Sequence, residues 1–287
     1  MTSKNLLKCI GEKVDSIPDS ILEDLGLSFE EINNDASKMA ILSKSLKRYK
    51  NSSHCKIPFC HTVEAEAFGS SVVFDHKYGN RIGGYAIKDI NSIDDLKEFD
   101  LSRGRIAEVL KAISLLKKDG ENVVLDITGP VTLGTGIIDS NVFFRATRKD
   151  IGKANKLFEL IENSTVEYIL ESIKNGVDII SYSDPAGSLD IVGPKFFKDF
   201  AGKTIYSILK RVEGKLGDSV IHLCIKTSKS LELSGFLEVE ETKVEGQSYY
   251  EIIKNAKKEN KDIEFLGHWC LKSKANKNEI ICCKLIP

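Results

Sequence analysis

"NVVLDITG" (residues 122–129) and "VDIISYSDPAG" (residues 177–187) are short, continuous apolar runs rich in β-branched residues. Between them, "KANKLFELIENSTVEYILESIKNG" (153–176) carries apolar residues at helical spacing and ends at a glycine. A strand whose residues are apolar on both faces is typical of a parallel sheet covered by helices. This strand–helix–strand unit therefore predicts an α/β fold with parallel strands.

The same alternation extends outward along the chain. Further apolar runs that predict strands are "KIPFC" (56–60), "SVIHLCI" (219–225), "GFLEVEET" (235–242), "IEFLGHWC" (263–270) and "EIICCKLIP" (279–287). Such units form either a (β/α)8 barrel or an open doubly wound sheet, and no dinucleotide-type glycine fingerprint follows the first strand. We therefore expect a (β/α)8 TIM-barrel-like domain, complete or shortened, over residues 51–287. A helical N-terminal extension is expected over residues 1–50, with Asn34 or Asp35 as a helix cap.

The composition is that of an ordinary globular protein. The chain has 287 residues, 41% hydrophobic and 29% charged, with a net charge of −1. That charge balance gives no general attraction to nucleic acid or to acidic membranes. No apolar leader and no stretch of 18 apolar residues occurs, which predicts a cytoplasmic location without membrane contact.

The seven cysteines are expected to be thiols or metal ligands rather than disulfides, with Cys9 and Cys55 as plain thiols.

Two His-x-Cys pairs are the most distinctive chemical feature. His222 and Cys224 share one face of a predicted strand, and His268 and Cys270 are predicted to do the same, because side chains two apart on a strand point the same way. Imidazole and thiolate are the donors that Zn²⁺ prefers. A closed structural site would use all four groups. An open site would use three and leave one position for a substrate, and the spacing does not choose between them.

Several motifs resemble the uroporphyrinogen decarboxylase superfamily, and specifically its methylcobamide:coenzyme M methyltransferase branch. The motifs run from residue 34 to residue 270 and so cover most of the chain. They are "NDASKMA" (34–40), "IPFCHTVEAEAFGS" (57–70), "LDITGPVTLGTGIID" (125–139), "VDIISYSDPAGSLDIVGPKFF" (177–197), "IHLC" (221–224) and "LGHWC" (266–270).

The resemblance implies a zinc site and a reaction. The ligands carried over are His222, Cys224 and Cys270, with His268 as an alternate ligand. The open position would take a thiol such as coenzyme M, which zinc converts to a thiolate that attacks the methyl group of a methyl-corrinoid.

Other residues receive roles by the same resemblance. Glu64 and Asp184 are expected to be catalytic, and Glu66 and His61 to contact the substrate. The residues themselves leave other roles open, since Glu64 and Glu66 could begin a helix and Asp184 could cap the turn that follows it.

Departures from the family pattern keep other functions open. The arginine-rich motif that holds porphyrin carboxylates in the decarboxylases is missing, which makes a decarboxylase-like activity the weaker option. "DHKYG" (75–79) does not have the spacing of a corrinoid-binding motif, so the corrinoid is expected on a partner protein or as a free molecule. The remaining alternatives are a corrinoid-dependent demethylase of a methoxy or methylamine donor and a non-catalytic subunit stabilised by zinc.

Overall fold

The structure, a computed structural model, describes residues 16–271 and 278–287, and Cys9 lies outside them. A 3₁₀ helix spans Ile90–Asp95, and a π-helical segment, Phe197–Ala201, precedes the eleventh α-helix. The strands are β1 (Cys55–Ile57), β2 (Ser71–Val73), β3 (Arg81–Gly84), β4 (Val123–Thr128), β5 (Ile179–Ser183), β6 (Val220–Leu223), β7 (Leu237–Lys243), β8 (Phe265–Gly267) and β9 (Glu279–Leu285). The α-helices are α1 (Asp19–Leu25), α2 (Phe29–Asn33), α3 (Ala36–Tyr49), α4 (Val63–Ala67), α5 (Gly104–Lys118), α6 (Pro130–Ile137), α7 (Ser140–Lys149), α8 (Ile151–Lys174), α9 (Leu189–Val192), α10 (Pro194–Phe196), α11 (Gly202–Val212), α12 (Ile225–Leu233) and α13 (Tyr249–Glu259).

The main sheet has seven strands in the order β1-β4-β5-β6-β8-β9-β7. β1, β4, β5, β6 and β8 run parallel, whereas β9 pairs antiparallel with both β8 and β7. Among the described residues, β1 and β7 are the two edges, so the sheet corresponds to a shortened barrel. The predicted α/β, barrel-like class is confirmed.

Two features of the sheet differ from the sequence-based expectation. The last part of the sheet is antiparallel, and the alternation of apolar and charged residues in "LEVEETK" (237–243) is typical of such a strand with one face towards water. A separate antiparallel pair, β2 with β3, was not predicted. Its short strands contain two glycines, Gly83 and Gly84, and so give a weak strand signal.

The parallel strands β4, β5 and β6 are covered on both faces, and their alternate residues point to opposite faces. Ile180 and Ile221 belong to the core shared with α5, α8 and α11. Ile179 and Val220 belong to a second core that contains Tyr249 and other residues of α13. The second face would line the interior of a closed barrel. We call it the inner face, and in this protein α13 packs against it.

The N-terminal region is helical where the structure describes it. Asp35 caps α3 as predicted, because its Oδ1 accepts a hydrogen bond from the Lys38 backbone N–H at 2.9 Å. The division into residues 1–50 and 51–287 stays a prediction. Over the described part of the chain, no helix combines the length and the apolar character needed to span a bilayer.

Candidate functional site

The carboxyl ends of the parallel strands lie along one edge of the sheet, which we call the carboxyl edge. In barrel folds this edge carries the active site. The register places His222 of β6 opposite Ser181 of β5 and Leu266 of β8. Cys224 follows the end of β6, and Cys270 follows the end of the neighbouring strand β8. The candidate zinc ligands therefore lie in, or just after, two adjacent strands.

His222 is buried on the inner face, with 1% of its surface exposed. Burial lowers the pKa of His222 to about 4, although a hydrogen bond to its own backbone opposes the shift, so the ring is neutral at pH 7. Its Nε2 lies 3.1 Å from the hydroxyl of Tyr249, and the two rings meet edge to face at 5.4 Å between centroids. With its proton on Nδ1, the imidazole accepts the phenol O–H at Nε2.

The second His-x-Cys pair is not on a strand, so the expectation that His268 and Cys270 share a strand face is wrong. β8 ends at Gly267, and His268 has a left-handed backbone with φ of 62°. The His268 backbone N–H donates to Ser228 Oγ at 2.9 Å, and its Nε2 lies 3.2 Å from Glu232 Oε2. His268 therefore faces α12 through both contacts.

Cys270 lies near Tyr249. Burial raises the pKa of the Tyr249 phenol, and negative charge on the sulfur atoms of Cys283 and Cys270 would raise it further. Cys224 is half-buried, lies immediately before α12, and donates its backbone N–H to the Tyr182 carbonyl at 2.9 Å. Tyr249 is thus the residue that contacts His222 and is also close to Cys270.

As arranged, the donor set does not fit a zinc ion. Within residues 16–271 and 278–287, no three His, Cys, Asp or Glu side chains lie close enough together to hold a metal. The ring nitrogen of His222 that would face a metal is hydrogen-bonded to the Tyr249 phenol. The chemical character of the donors suits zinc, but their placement does not.

An ion pair between the half-exposed Lys56 and the buried Asp126 lies on the inner face, with Asp126 two strands away from His222. Asp126 of β4 lies 2.6 Å from Lys56 Nζ, and its other oxygen, Oδ1, has no hydrogen-bond partner among the described residues. Burial alone would raise the pKa of Asp126, but Lys56 and His61 lower it on balance. Asp126 is the residue opposite Ser181, which is in turn opposite His222. The charged side chain of Asp126 therefore lies in the same row as His222.

Glu64 and Glu66 lie in the first turn of α4 but in different environments. Glu64 is 1% exposed, and its Oε1 accepts the Thr128 backbone N–H at 2.8 Å. Burial raises its pKa, against the effect of the hydrogen bonds from Thr128. Glu66 is 30% exposed and pairs with the fully buried guanidinium of Arg105 at 2.5 Å. His61, at the end of the preceding loop, is exposed.

Arg105 joins α5 to the segment after β1. Besides Glu66, its guanidinium donates to Thr62 Oγ1 at 2.8 Å and to Cys60 Sγ at 3.3 Å. Its Cζ lies 5.2 Å from the centre of the Phe74 ring. Every one of these partners lies between residues 60 and 74, so Arg105 fixes the loop that carries His61.

Asp184 is buried at the end of β5, with 1% exposure. Its carboxylate accepts the backbone N–H groups of Val131 at 3.0 Å and Thr132 at 2.8 Å, and the Thr132 hydroxyl at 2.7 Å. These donors belong to the first turn of α6, which favours a negative charge there. The geometry is that of a helix cap, and the expected catalytic role of Asp184 stays a prediction.

Sequence reasoning singled out neither Tyr249 nor Arg105. Tyr249 contacts His222 from 27 residues away, and Arg105 contacts Cys60 from 45 residues away. A signal for Arg105 was present, since an arginine within the apolar face of a predicted helix needs a buried partner. Tyr249 gave no comparable signal, because an aromatic residue at a helix start is ordinary.

Comparisons with known proteins agree with the resemblance seen in the motifs. The family model described as "Uroporphyrinogen decarboxylase (URO-D)" matches residues 14–245. The chain is 28% identical over 220 residues to "Methylcobamide:CoM methyltransferase MtbA" of Methanosarcina mazei, which covers 74% of this chain and 63% of that protein. It is 24% identical over 244 residues to "Methylcobamide:CoM methyltransferase MtaA" of Methanosarcina barkeri, which covers 77% and 68% of the two chains.

A solved structure supports the fold. A "methyltransferase from Methanosarcina mazei" superposes with a TM-score of 0.63 at 22% identity, over 75% of this chain and 66% of that one. The chain spans about 63% of the length of the MtbA relative. Tyr249 and the rest of α13 lie beyond the residues that the family model matches.

Proposed function

The chain belongs to the uroporphyrinogen decarboxylase family, and on that premise we propose that it transfers a methyl group from a methyl-corrinoid to a thiol such as coenzyme M. The named relatives are methylcobamide:CoM methyltransferases, which supports a corrinoid donor and this class of acceptor. The corrinoid arrives on a partner protein or as a free molecule. In the reaction the C–Co bond breaks, a C–S bond forms, and the corrinoid keeps the electron pair as Co(III) becomes Co(I). The thiol proton is released.

One observation supports the proposal most strongly: His222 lies in β6, Cys224 follows the end of β6, and Cys270 follows the end of the adjacent parallel strand β8. These are the residues that the resemblance assigns to zinc. Zinc, when bound, would supply a Lewis acid that turns a thiol into a thiolate at neutral pH. Because the donors do not converge as arranged, metal binding requires local movement, and we route no step through it.

The other candidate residues receive roles that match their exposure. His61 is exposed and Glu66 is half-exposed, so we propose that they contact the substrate at the rim. Glu64 and Asp184 are buried and already hydrogen-bonded, so we propose that they position the chain after β4 and β5. Lys56 and Asp126 keep the inner face polar at β1 and β4.

The test follows methylcobalamin absorbance while thiols, including coenzyme M, are offered with and without zinc. Thiol-dependent loss of the methyl-cobalt spectrum is the expected result. Cys224→Ala is expected to lower the rate by at least about 10- to 100-fold, the range seen when even supporting residues of a metal site are changed. Cys282→Ala is the matched control, because Cys282 is also a half-buried thiol but lies on β9. An unchanged rate in Cys224→Ala contradicts the proposal.

The alternatives give different results in the same experiment. A demethylase methylates Co(I) corrinoid from a methoxy or methylamine donor with no thiol present. A non-catalytic subunit binds zinc but leaves methylcobalamin intact with every thiol. A decarboxylase-like enzyme acts on a porphyrin and ignores the corrinoid.

A further inference from the structure

Tyr249 is held in place by the whole of α13. Ser248 caps this helix, since its Oγ accepts the Glu251 backbone N–H at 3.3 Å. Ile253 is fully buried against the inner face, and Lys254 pairs with Asp178 at 2.9 Å. The first turn of α13 is therefore anchored, and it presents the Tyr249 phenol to the centre of β6.

The phenol occupies the coordinating position of His222. The ring hydrogen-bonds to the backbone of its own residue, which only Nδ1 can reach, so we assign the ring proton to Nδ1 and the lone pair to Nε2. With that tautomer, the Tyr249 hydroxyl, 3.1 Å from Nε2, is the donor of the hydrogen bond. A nitrogen lone pair that accepts a hydrogen bond from a phenol cannot bind a cation at the same time.

We propose that the Tyr249 phenol takes the place of the metal on His222 Nε2 and has to leave before a cation binds there. This inference rests on the proposed function. Tyr249 is then a positioning residue. It fixes the tautomer and orientation of His222 in the metal-free protein, and it opposes metal binding by the strength of one buried hydrogen bond. The residue comes from this chain's own C-terminal part, beyond the family-matched region.

Zinc affinity tests this inference without any need for turnover. Zn²⁺ is titrated against a chromophoric chelator in the wild-type protein, in Tyr249→Phe and in Tyr250→Phe. Tyr249→Phe is expected to bind zinc about 5- to 10-fold more tightly, the factor that corresponds to one net hydrogen bond lost only from the metal-free state. Tyr250→Phe is the matched control, because Tyr250 is buried on the same helix but stacks on His54 at 5.2 Å. Its affinity is expected to stay at the wild-type value.

A second measurement reads the hydrogen bond itself. The ¹⁵N chemical shifts of His222 are expected to show a neutral ring protonated on Nδ1, and the Nε2 shift is expected to change in Tyr249→Phe and not in Tyr250→Phe. A purely structural role of Tyr249 lowers stability but does not tighten zinc binding.

The outcomes separate the two proposals. Equal zinc affinity in wild type and Tyr249→Phe, or weaker binding in the variant, overturns the inference while the zinc assignment stands. Zinc bound by Tyr249→Phe but not by wild type supports it. If neither protein binds zinc, the metal assignment and this inference both fall. If zinc binds as expected but methylcobalamin is not consumed, only the proposed reaction fails.

Discussion

The Arg105–Glu66 pair gives a test of how burial controls an ion pair in this fold. The Arg105 side chain is fully buried and Glu66 is 30% exposed, with 2.5 Å between Nε and Oε2. The chain also contains a matched surface pair, Arg103–Asp100, at the same distance of 2.5 Å but with side chains 80% and 45% exposed. The two pairs therefore differ in burial and not in contact distance.

The expected energies follow from the surroundings. Two unit charges about 4 Å apart attract by about 4 kcal/mol at an effective dielectric constant of about 20, and desolvation removes part of this gain. We expect a coupling energy of about 2 kcal/mol between Arg105 and Glu66. For Arg103 and Asp100, water and salt screen the charges, so the coupling is expected to be close to zero.

Double-mutant cycles measure both couplings. The first cycle uses Arg105→Met and Glu66→Gln, the second Arg103→Met and Asp100→Asn, with urea unfolding at low and at moderate salt. Arg105→Met alone is expected to cost about 3–5 kcal/mol, because it also leaves Thr62 and Cys60 without their donor. Equal coupling in the two cycles, or a strong salt dependence in the first, would refute the reasoning.

Three further predictions concern stability. Gly129→Ala places a Cβ 2.3 Å from Asp184 Cβ, so we expect a loss of about 2–3 kcal/mol in urea unfolding, and no loss for Gly152→Ala, where nothing lies within 4 Å. Asp184→Ala leaves the first turn of α6 without its acceptor, which is expected to cost about 2–3 kcal/mol by the same assay, and an unchanged unfolding midpoint would contradict the capping role. Burial, followed by the positive charge of Lys56, lowers the pKa of His54 from 6.5 to about 4. The unfolded chain therefore binds a proton at this residue more readily than the folded protein does. As a result, the stabilisation present above pH 6.5 is lost as the pH falls towards 4. In His54→Gln, the loss in the free energy of unfolding between pH 6.5 and pH 4 is expected to be smaller by about 1–3 kcal/mol. A pH profile identical to that of the wild type would count against this prediction.

The strand positions were predictable because their signal is local. β4, β5 and β6 are apolar on both faces, and that pattern is visible in any window of six to eight residues. The antiparallel end of the sheet was harder to predict. β9 pairs with β7, from which α13 and β8 separate it in sequence, and such a long-range choice of partner leaves little trace in a short window.

The geometry of the candidate site was less predictable than its residues. "GHWC" (267–270) reads as the end of a strand, but the strand ends at Gly267, where a Cβ would lie 2.5 Å from Ser228 Cβ. This close approach of β8 to α12 turns His268 towards Glu232 and away from the shared face that its spacing predicts. The chemical identity of a donor can therefore be read from the sequence, whereas its direction depends on packing between elements 40 residues apart.

The position of α13 also determines how a substrate reaches His222. Three of its contacts lie at the amino ends of the strands: Ser248 meets Ser53 at 3.2 Å, Tyr250 stacks on His54, and Lys254 pairs with Asp178. Ser53 and His54 precede β1, and Asp178 precedes β5, so the helix covers the amino-end side of the inner face. In the proposed reaction, a thiol and a corrinoid methyl group are therefore expected to approach from the carboxyl edge, where Cys224, Cys270 and the exposed His61 lie. The helix that covers one side of the inner face is the same helix that supplies Tyr249, so closure at the amino ends and occupation of His222 Nε2 are two consequences of one packing arrangement.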